Sequence, residues 1–226
     1  MKFIDAPSPN HDERGTAIDM VVLHYTGMQT GAEALARLQS EEARVSAHYL
    51  VEENGDVYRL VDERCRAWHA GVSKWRGEEG VNARSIGIEI VNPGHEWGYR
   101  TFPEPQISSV IALLKDIRTR HDIAPAQVIG HCDVAPRRKE DPGEKFPWDR
   151  LADEGLAIAP FTGDPATGLN VAYEDALKAL SDIGYDAPLG DYAAALLAFQ
   201  RRFCPQSLGQ GFDPRTKAAL IEVQKY

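Results

Sequence analysis

The sequence predicts an α/β fold in which a mixed central β-sheet is flanked by helices, followed by a small C-terminal three-helix domain. Three observations support this prediction. Short β-branched runs alternate with segments of helical periodicity, two of the runs enclose an Asn-Gly turn, and the last part of the chain has helical patterns only. The length of 226 residues, with 43% hydrophobic and 26% charged residues, suits one large domain or one domain plus a small module.

Apolar spacing predicts the elements of the first region in order. The run AIDMVVLHYT predicts a buried strand that ends at His24, and residues 31–42 predict a helix. The segment HYLVEENGDVYRLV predicts a hairpin around Asn54-Gly55, because this dipeptide tolerates the positive φ of a tight turn. The remaining predicted elements are a strand at 85–91, a helix at 105–121 and a strand at 128–131.

The composition changes at residues 156–168, where LAIAPFTGDPATG has no sustained period. We interpret this segment as a linker between a domain at 1–155 and a three-helix domain at 169–226. So small a helical core is marginal alone and is expected to need help from its neighbour. The predicted helices cover 171–183, a segment capped by Asp191, and a segment that begins at Asp213-Pro214 with an N-cap and an N1 proline.

Charge and cysteine content limit the partners and the compartment. A net charge of -9 argues against nucleic acid, since a phosphate backbone requires clustered Lys and Arg. No run approaches the roughly 18 apolar residues of a membrane span. Cys65, Cys132 and Cys204 are far apart and odd in number, which favours a reducing compartment. The start MKFIDAPSPNHDERGT lacks the apolar core of a signal peptide, so we expect a cytoplasmic monomer. A periplasmic or outer-membrane location is the alternative if a signal was removed.

Several polar residues stand where apolar ones are expected. His24 ends an apolar strand, Glu89 lies between Ile88 and Ile90, and His131 opens the charged loop HCDVAPRRKEDPG. An isolated carboxylate in a strand is costly, so Glu89 faces a cleft or has a cationic partner. Two imidazoles and a carboxylate at strand ends could bind zinc and leave a fourth position for water.

Two further residues could join this group. Asp141, ten residues after His131, can fold back towards the same point, and Lys139 could point into the same site. Taken singly, each residue has a structural alternative: a satisfied strand-end histidine, an ion pair between Glu89 and Arg84 or Lys139, or solvated loop charges. Residue types and spacing therefore indicate a metal site without specifying a reaction.

Five segments covering roughly residues 17–150 decide between these alternatives: VVLHYT, SAHYLVEENGDVYRLV, RAWHAGVS, NARSIGIEIVN and HCDVAPRRKEDPGEKFPW. In order and spacing they resemble the type-2 family of N-acetylmuramoyl-L-alanine amidases, which includes phage lysozyme-amidases and animal peptidoglycan-recognition proteins. Residues 169–226, called the tail below, resemble a three-helix peptidoglycan-binding domain in the segments LKALSDIGYDA, AAALLAFQRRF and DPRTKAAL, a shorter match.

The resemblance implies a zinc enzyme that hydrolyses the amide bond between the lactyl group of N-acetylmuramic acid and L-alanine, in peptidoglycan or in muropeptides. It implies one Zn²⁺ per chain, with ligands at His24, His131 and Asp141. It also implies that Glu89 is the general base and acid, and that Lys139 stabilises the oxyanion.

One departure places the chain within the family. The phage relatives have Cys as the third metal ligand and a Tyr in the supporting catalytic role. Here Asp141 stands at the position of the third ligand. Ala47 precedes His48, where the phage relatives have the Tyr, so Glu89 is expected to take the catalytic role.

Weaker predictions concern the neighbouring residues. His69 and Trp68 in AWHAG resemble positions that line the cleft and bind substrate, with a plain core pair as the alternative. His48 is expected to be structural. Cys132 is expected on the face of its strand opposite the metal, because successive strand side chains alternate.

Two alternative functions compete with the amidase, one a binding protein and the other a hydrolase with a different substrate. Some proteins of this fold bind peptidoglycan without cutting it, but all five expected catalytic and metal positions are present here, which favours the enzyme. The second alternative is a metallo-hydrolase that acts on another acyl-amino-acid amide. The resemblance of the tail to a peptidoglycan-binding domain disfavours it. The residues leave open whether the natural substrate is polymeric wall or a soluble anhydro-muropeptide.

Overall fold

The computed structural model describes residues 3–226. Its strands are β1 (Phe3–Asp5), β2 (His11–Glu13), β3 (Met20–Tyr25), β4 (Tyr49–Val51), β5 (Val57–Arg59), β6 (Cys65–Ala67), β7 (Lys74–Trp75), β8 (Glu78–Glu79), β9 (Ser85–Ile90) and β10 (Val128–Gly130). Its α-helices are α1 (Gly31–Gln39), α2 (Val81–Arg84), α3 (Gly94–Trp97), α4 (Glu104–Arg118), α5 (His131–Val134), α6 (Trp148–Asp153), α7 (Tyr173–Ile183), α8 (Ala193–Phe203) and α9 (Pro214–Val223).

A six-stranded mixed sheet with the order β1-β5-β4-β9-β3-β10 forms the centre of the first region. β4 and β5 are antiparallel and form the predicted hairpin, in which Gly55 has a φ of 90°. The other neighbours in this sheet are parallel. The predicted α/β class with a mixed sheet flanked by helices is confirmed. No helix within residues 3–226 is both long and apolar enough to cross a membrane.

The two faces of the sheet contact different layers. Along β3, Val21 and Leu23 belong to a core shared with α4, whereas Met20 and Val22 point the other way and pack with the C-terminal helices. Leu50 of β4 packs with α1 on that second face. The second face therefore has a tail-side core and an α1-side core, and the side chains of His24 and Glu89 lie on this same face.

The tail has the three predicted helices, and they share one buried core with the sheet. The tail packs against its neighbour, for example through a contact of 5.2 Å between the ring centroids of Trp75 and Tyr185. That it needs this contact for stability stays a prediction. Asp213 caps α9 as predicted, with its side chain accepting from the Thr216 amide. The prediction that Asp191 caps the second helix is wrong, because Asp191 instead accepts from the Arg137 guanidinium.

Residues 156–168, predicted to be a linker, are mostly irregular and end in a short 3₁₀ helix at Pro165–Gly168. The segment is packed rather than free. Leu156 is buried with α4, and Phe161 is buried with the tail, where its amide donates to the Phe203 carbonyl over 2.8 Å. The division into two domains stays a prediction.

Candidate active site

Three predicted metal-binding residues come together at the carboxyl edge of the sheet. β3 and β10 are parallel neighbours, with Leu23 opposite Gly130, so the next residues, His24 and His131, emerge side by side. Their Nδ1 atoms lie 2.9 Å apart. Asp141 Oδ2 lies 3.1 Å from the first and 3.0 Å from the second. We call His24, His131 and Asp141 the metal group.

The metal group suits zinc in its atom types, and the pKa shifts of His24 and Asp141 favour their metal-binding forms. Two imidazole nitrogens and one carboxylate oxygen form the ligand set of a catalytic zinc site, which leaves a position for water or substrate. Burial, followed by the charge of His131, lowers the pKa of His24 to about 4. Burial alone would raise the pKa of Asp141, but the two histidines outweigh it and hold this pKa below its usual range. Neutral imidazole and ionised carboxylate are the forms that bind a metal.

The structure corrects the expected surroundings of His131. The strand ends at Gly130, and His131 begins the short helix α5. The strand-alternation argument for Cys132 was therefore wrong, although Cys132 does lie in the tail-side core rather than in the metal group. The Cys132 amide donates to the Asp141 carbonyl over 2.8 Å and so ties the loop that carries Asp141 to α5.

Glu89 lies beside the metal group because it is opposite His24 in the register of β9 with β3. Its Oε2 is buried and has no hydrogen-bond partner among residues 3–226. Burial and then the charge of Asp141 raise the pKa of Glu89 well above its usual value, while Lys139 lowers it. A carboxyl group with this environment is suited to exchange protons with a bound molecule.

The structural alternative for Glu89 does not hold in the described chain. Arg84, its proposed cationic partner, forms ion pairs with Asp19 and Glu78 instead. Within residues 3–226 no ion pair joins Glu89 to Lys139 either. Both Glu89 and Lys139 line a cavity of about 290 Å³ that the metal group also lines.

Trp68 and His69 lie on the same cavity but differ in exposure. Trp68 is half-buried, with the Arg44 guanidinium 5.8 Å from its ring centroid. His69 is only 9% exposed, and both of its ring nitrogens have partners: His24 Nε2 at 3.0 Å and Ser85 Oγ at 3.1 Å. A direct contact of either residue with substrate stays a prediction.

Sequence reasoning missed the residues behind the site. Ser85 and Asn82 received no role, although Asn82 Oδ1 accepts from the His69 amide. No motif singles out such residues; only the polar character of Ser85 at the start of an apolar strand gave a signal. His48 is structural as expected: it is buried, and its Nδ1 accepts from the Gly87 amide over 2.9 Å.

Comparisons with known proteins agree with this fold and site. The family model described as N-acetylmuramoyl-L-alanine amidase matches residues 14–144. N-acetylmuramoyl-L-alanine amidase AmiD of Escherichia coli is 36% identical, over 91% of this chain and 83% of that protein. The 1,6-anhydro-N-acetylmuramyl-L-alanine amidase AmpD of Haemophilus influenzae is 40% identical over 48% of this chain and 58% of that protein.

Solved structures extend the similarity to the tail. The complex of E. coli AmiD with the substrate anhydro-N-acetylmuramic acid-L-Ala-D-gamma-Glu-L-Lys superposes with a TM-score of 0.82 and 32% identity, over 96% of this chain and 91% of the other. AmpDh3 from Pseudomonas aeruginosa superposes with a TM-score of 0.83 and 31% identity, over 96% and 94% of the two chains.

The fold and the site together define an amide hydrolase whose family enzymes are zinc-dependent. The chain belongs to the N-acetylmuramoyl-L-alanine amidase family. Its reaction is hydrolysis of the amide bond between the lactyl group of N-acetylmuramic acid and L-alanine.

Proposed function

We propose that one Zn²⁺ binds to His24 Nδ1, His131 Nδ1 and Asp141 Oδ2, and that Glu89 and Lys139 perform the proton transfer and charge stabilisation of the reaction. The observation that carries the proposal is the buried, unpartnered Glu89 Oε2, on the same cavity as three converging donor atoms.

When bound, zinc polarises the scissile carbonyl and lowers the pKa of its water towards 7, from about 15.7. Glu89 accepts a proton from the attacking water and delivers it to the alanine nitrogen as the C–N bond breaks. Lys139 lines the same cavity, where its ammonium faces the negative charge that develops on the carbonyl oxygen. The products are a free lactyl carboxylate and a free alanine amine.

Replacing Glu89 by Gln tests the proton-transfer role. The amide keeps the shape of the side chain but cannot accept the proton, so kcat should fall by about 10²–10⁴ while zinc content and melting temperature stay unchanged. Glu96→Gln, at an exposed glutamate, is the matched control. Turnover near that of the control would reduce Glu89 to a structural role.

Removing the metal tests the ligand set. Metal analysis of the purified protein should give one zinc per chain, chelation should abolish turnover, and added zinc should restore it. His131→Ala should lower zinc affinity without unfolding the sheet. Full turnover by rigorously metal-free protein would overturn the zinc proposal.

We infer that the substrate is a soluble anhydro-muropeptide. The support is the AmiD complex, whose printed substrate is an anhydro-N-acetylmuramic acid tripeptide, together with the similarity of that enzyme over 96% of this chain. The test compares kcat/KM on a purified anhydro-muropeptide with release of stem peptides from intact sacculi. Faster cleavage of sacculi would favour the polymer and a wall-binding role for residues 169–226.

The proposed compartment is the cytoplasm, on the evidence of the cysteines. Cys65, Cys132 and Cys204 are free thiols, and a reducing compartment keeps them so. Fractionation of cells that express the native gene tests this proposal. Recovery chiefly from the periplasm or outer membrane would reject it and leave the chemistry unchanged.

A further inference from the structure

In each imidazole of the metal group, the second ring nitrogen forms a hydrogen bond within the protein. His131 Nε2 lies 3.2 Å from the Ala70 carbonyl oxygen. A carbonyl oxygen can only accept, so in the neutral ring Nε2 bears the hydrogen and Nδ1 has the free lone pair. That Nδ1 is the atom that faces His24 and Asp141.

The tautomer of His24 follows from a longer chain of hydrogen bonds. The Ser85 hydroxyl donates its one hydrogen to the Val81 carbonyl over 2.6 Å, so Ser85 Oγ can only accept from His69 Nε2–H at 3.1 Å. His69 Nδ1 is then left as an acceptor, and His24 Nε2–H donates to it over 3.0 Å. The Nδ1 of His24 is therefore the nitrogen without a hydrogen.

Both supports lie on one two-residue segment of the chain. His69 supplies its ring and Ala70 its carbonyl, and the backbone amides of both donate to Asn82 Oδ1, over 3.1 and 2.7 Å. Asn82 belongs to α2, and this helix directly precedes β9, which begins at Ser85. One side-chain amide thus fixes the segment that contacts both imidazoles.

The packing of this segment leaves little freedom. A Cβ on Gly87 would lie 2.4 Å from the His69 ring, so glycine permits the ring to lie against β9. The ring itself is buried. A ring confined in this way cannot turn to present its other nitrogen to His24 without breaking the bond to Ser85.

We propose that Asn82, His69 and Ser85 are positioning residues, which hold both imidazoles of the metal group in the Nε2–H tautomer and so present two Nδ1 lone pairs to the metal. This inference rests on the zinc site proposed above. Partners that orient metal-binding histidines typically account for about 10- to 100-fold in metal affinity.

Two substitutions separate the two branches of the network. Ser85→Ala removes the acceptor at the end of the His24 branch, together with the hydrogen bond to the Val81 carbonyl, and leaves the His131 branch in place. Asn82→Ala releases the segment that contacts both imidazoles. Asn82→Asp is the conservative variant, since a carboxylate oxygen still accepts from both amides. Asn170→Ala, at an exposed asparagine, is the matched control.

Nitrogen-15 spectra of the histidines in metal-free protein report the tautomers directly. In the wild type at neutral pH, His24 and His131 should both show the Nε2–H form. Ser85→Ala should give a tautomer mixture at His24 alone, and Asn82→Ala at both histidines. Competition with a chelator should give zinc Kd values raised about 10- to 100-fold for Ser85→Ala and Asn82→Ala. Asn82→Asp and Asn170→Ala should stay near the wild type.

The readouts distinguish failure of this inference from failure of the zinc site. Wild-type tautomers and wild-type zinc affinity in both alanine variants would overturn the positioning role. If instead wild-type protein binds no zinc at these histidines, the zinc proposal fails, and the metal-free spectra still decide the tautomers. If Asn82→Ala does not fold, Ser85→Ala alone decides, because it removes a single hydroxyl.

Discussion

Asp133 connects the helix that begins with His131 to the C-terminal tail. The residue is completely buried, and its carboxylate accepts three hydrogen bonds. The Tyr185 hydroxyl donates over 2.6 Å, the Arg202 guanidinium over 2.9 Å and the Gly130 amide over 2.7 Å. Two of these donors come from the tail and one from the end of β10, so a single carboxylate joins three parts of the fold.

Replacing Asp133 by Asn should reduce the free energy of unfolding by about 3–5 kcal/mol. The amide preserves the shape but leaves the charge of Arg202, which is only 4% exposed, without its partner, and breaking a buried ion pair in this way costs about that much. In a chain of this size each kcal/mol shifts the melting temperature by about 2–4 °C, so the midpoint should fall by about 6–20 °C.

The assay is denaturant unfolding followed by tryptophan fluorescence, with thermal unfolding in parallel. Asp182→Asn breaks the exposed pair with Lys178 and is the matched control, with an expected loss below about 0.5 kcal/mol. The double variant Asp133→Asn with Arg202→Met should be more stable than the sum of the single losses predicts, since no buried charge remains. A loss below about 1 kcal/mol for Asp133→Asn would refute the reasoning.

Three further predictions concern other parts of the chain. Burial would raise the pKa of Glu63, but hydrogen bonds from Arg120 and two neighbouring side chains outweigh it and lower the pKa to about 2 from 4.5. The resulting stabilisation is present above pH 4.5 and lost as the pH falls through 2. Glu63→Gln should therefore lower the free energy of unfolding by about 1–2 kcal/mol at pH 6, after allowance for solvent screening. It should also flatten the acid limb of a curve of stability against pH, and an unchanged acid limb would contradict the prediction. Gly87→Ala should weaken zinc binding, because its Cβ would displace the His69 ring; chelator competition measures this, and wild-type affinity would count against the packing argument. Deleting residues 165–226 should leave a fragment without cooperative unfolding by circular dichroism, since the deletion exposes the tail-side core on one face of the sheet. A fragment with a wild-type melting temperature would contradict this prediction.

Much of the fold could be predicted because local sequence determines local structure. Alternating and helical apolar spacing indicated the main elements, and Asn54-Gly55 and Asp213 supplied turn and cap chemistry that does not depend on distant contacts. Asp191 failed as a cap because an available cation, Arg137, lies near it in space. The sequence cannot show that competitor, since 54 residues separate the two.

The candidate site was predictable in part for a similar reason. His24 and Glu89 stand out because polar residues in apolar strands need an explanation, and parallel strands bring their carboxyl ends to one edge. The supports of the histidines gave no such signal. Asn82 and Ser85 are common residue types, and their importance depends on which atoms of His69 they contact.

The linker prediction shows a further limit of composition. Glycine and proline at 156–168 correctly indicated irregular backbone, but irregular backbone can still be buried, as Leu156 and Phe161 are. Burial depends on the surface that the segment crosses. That surface is set by the sheet and the tail together, and neither can be read from the segment itself.

The contact through Asp133 couples the tail to the metal group. Asp133 lies two residues after His131, and its partner Arg202 lies 69 residues further along the chain, so a change in the tail reaches a predicted zinc ligand through one ion pair. Loss of activity after deletion of the tail would then follow from a displaced imidazole as readily as from lost binding to the cell wall. Point substitutions on the exposed side of the tail separate the two effects. Tyr173→Ala, at a 38% exposed aromatic residue remote from Asp133 in sequence, changes the surface and leaves the ion pair in place.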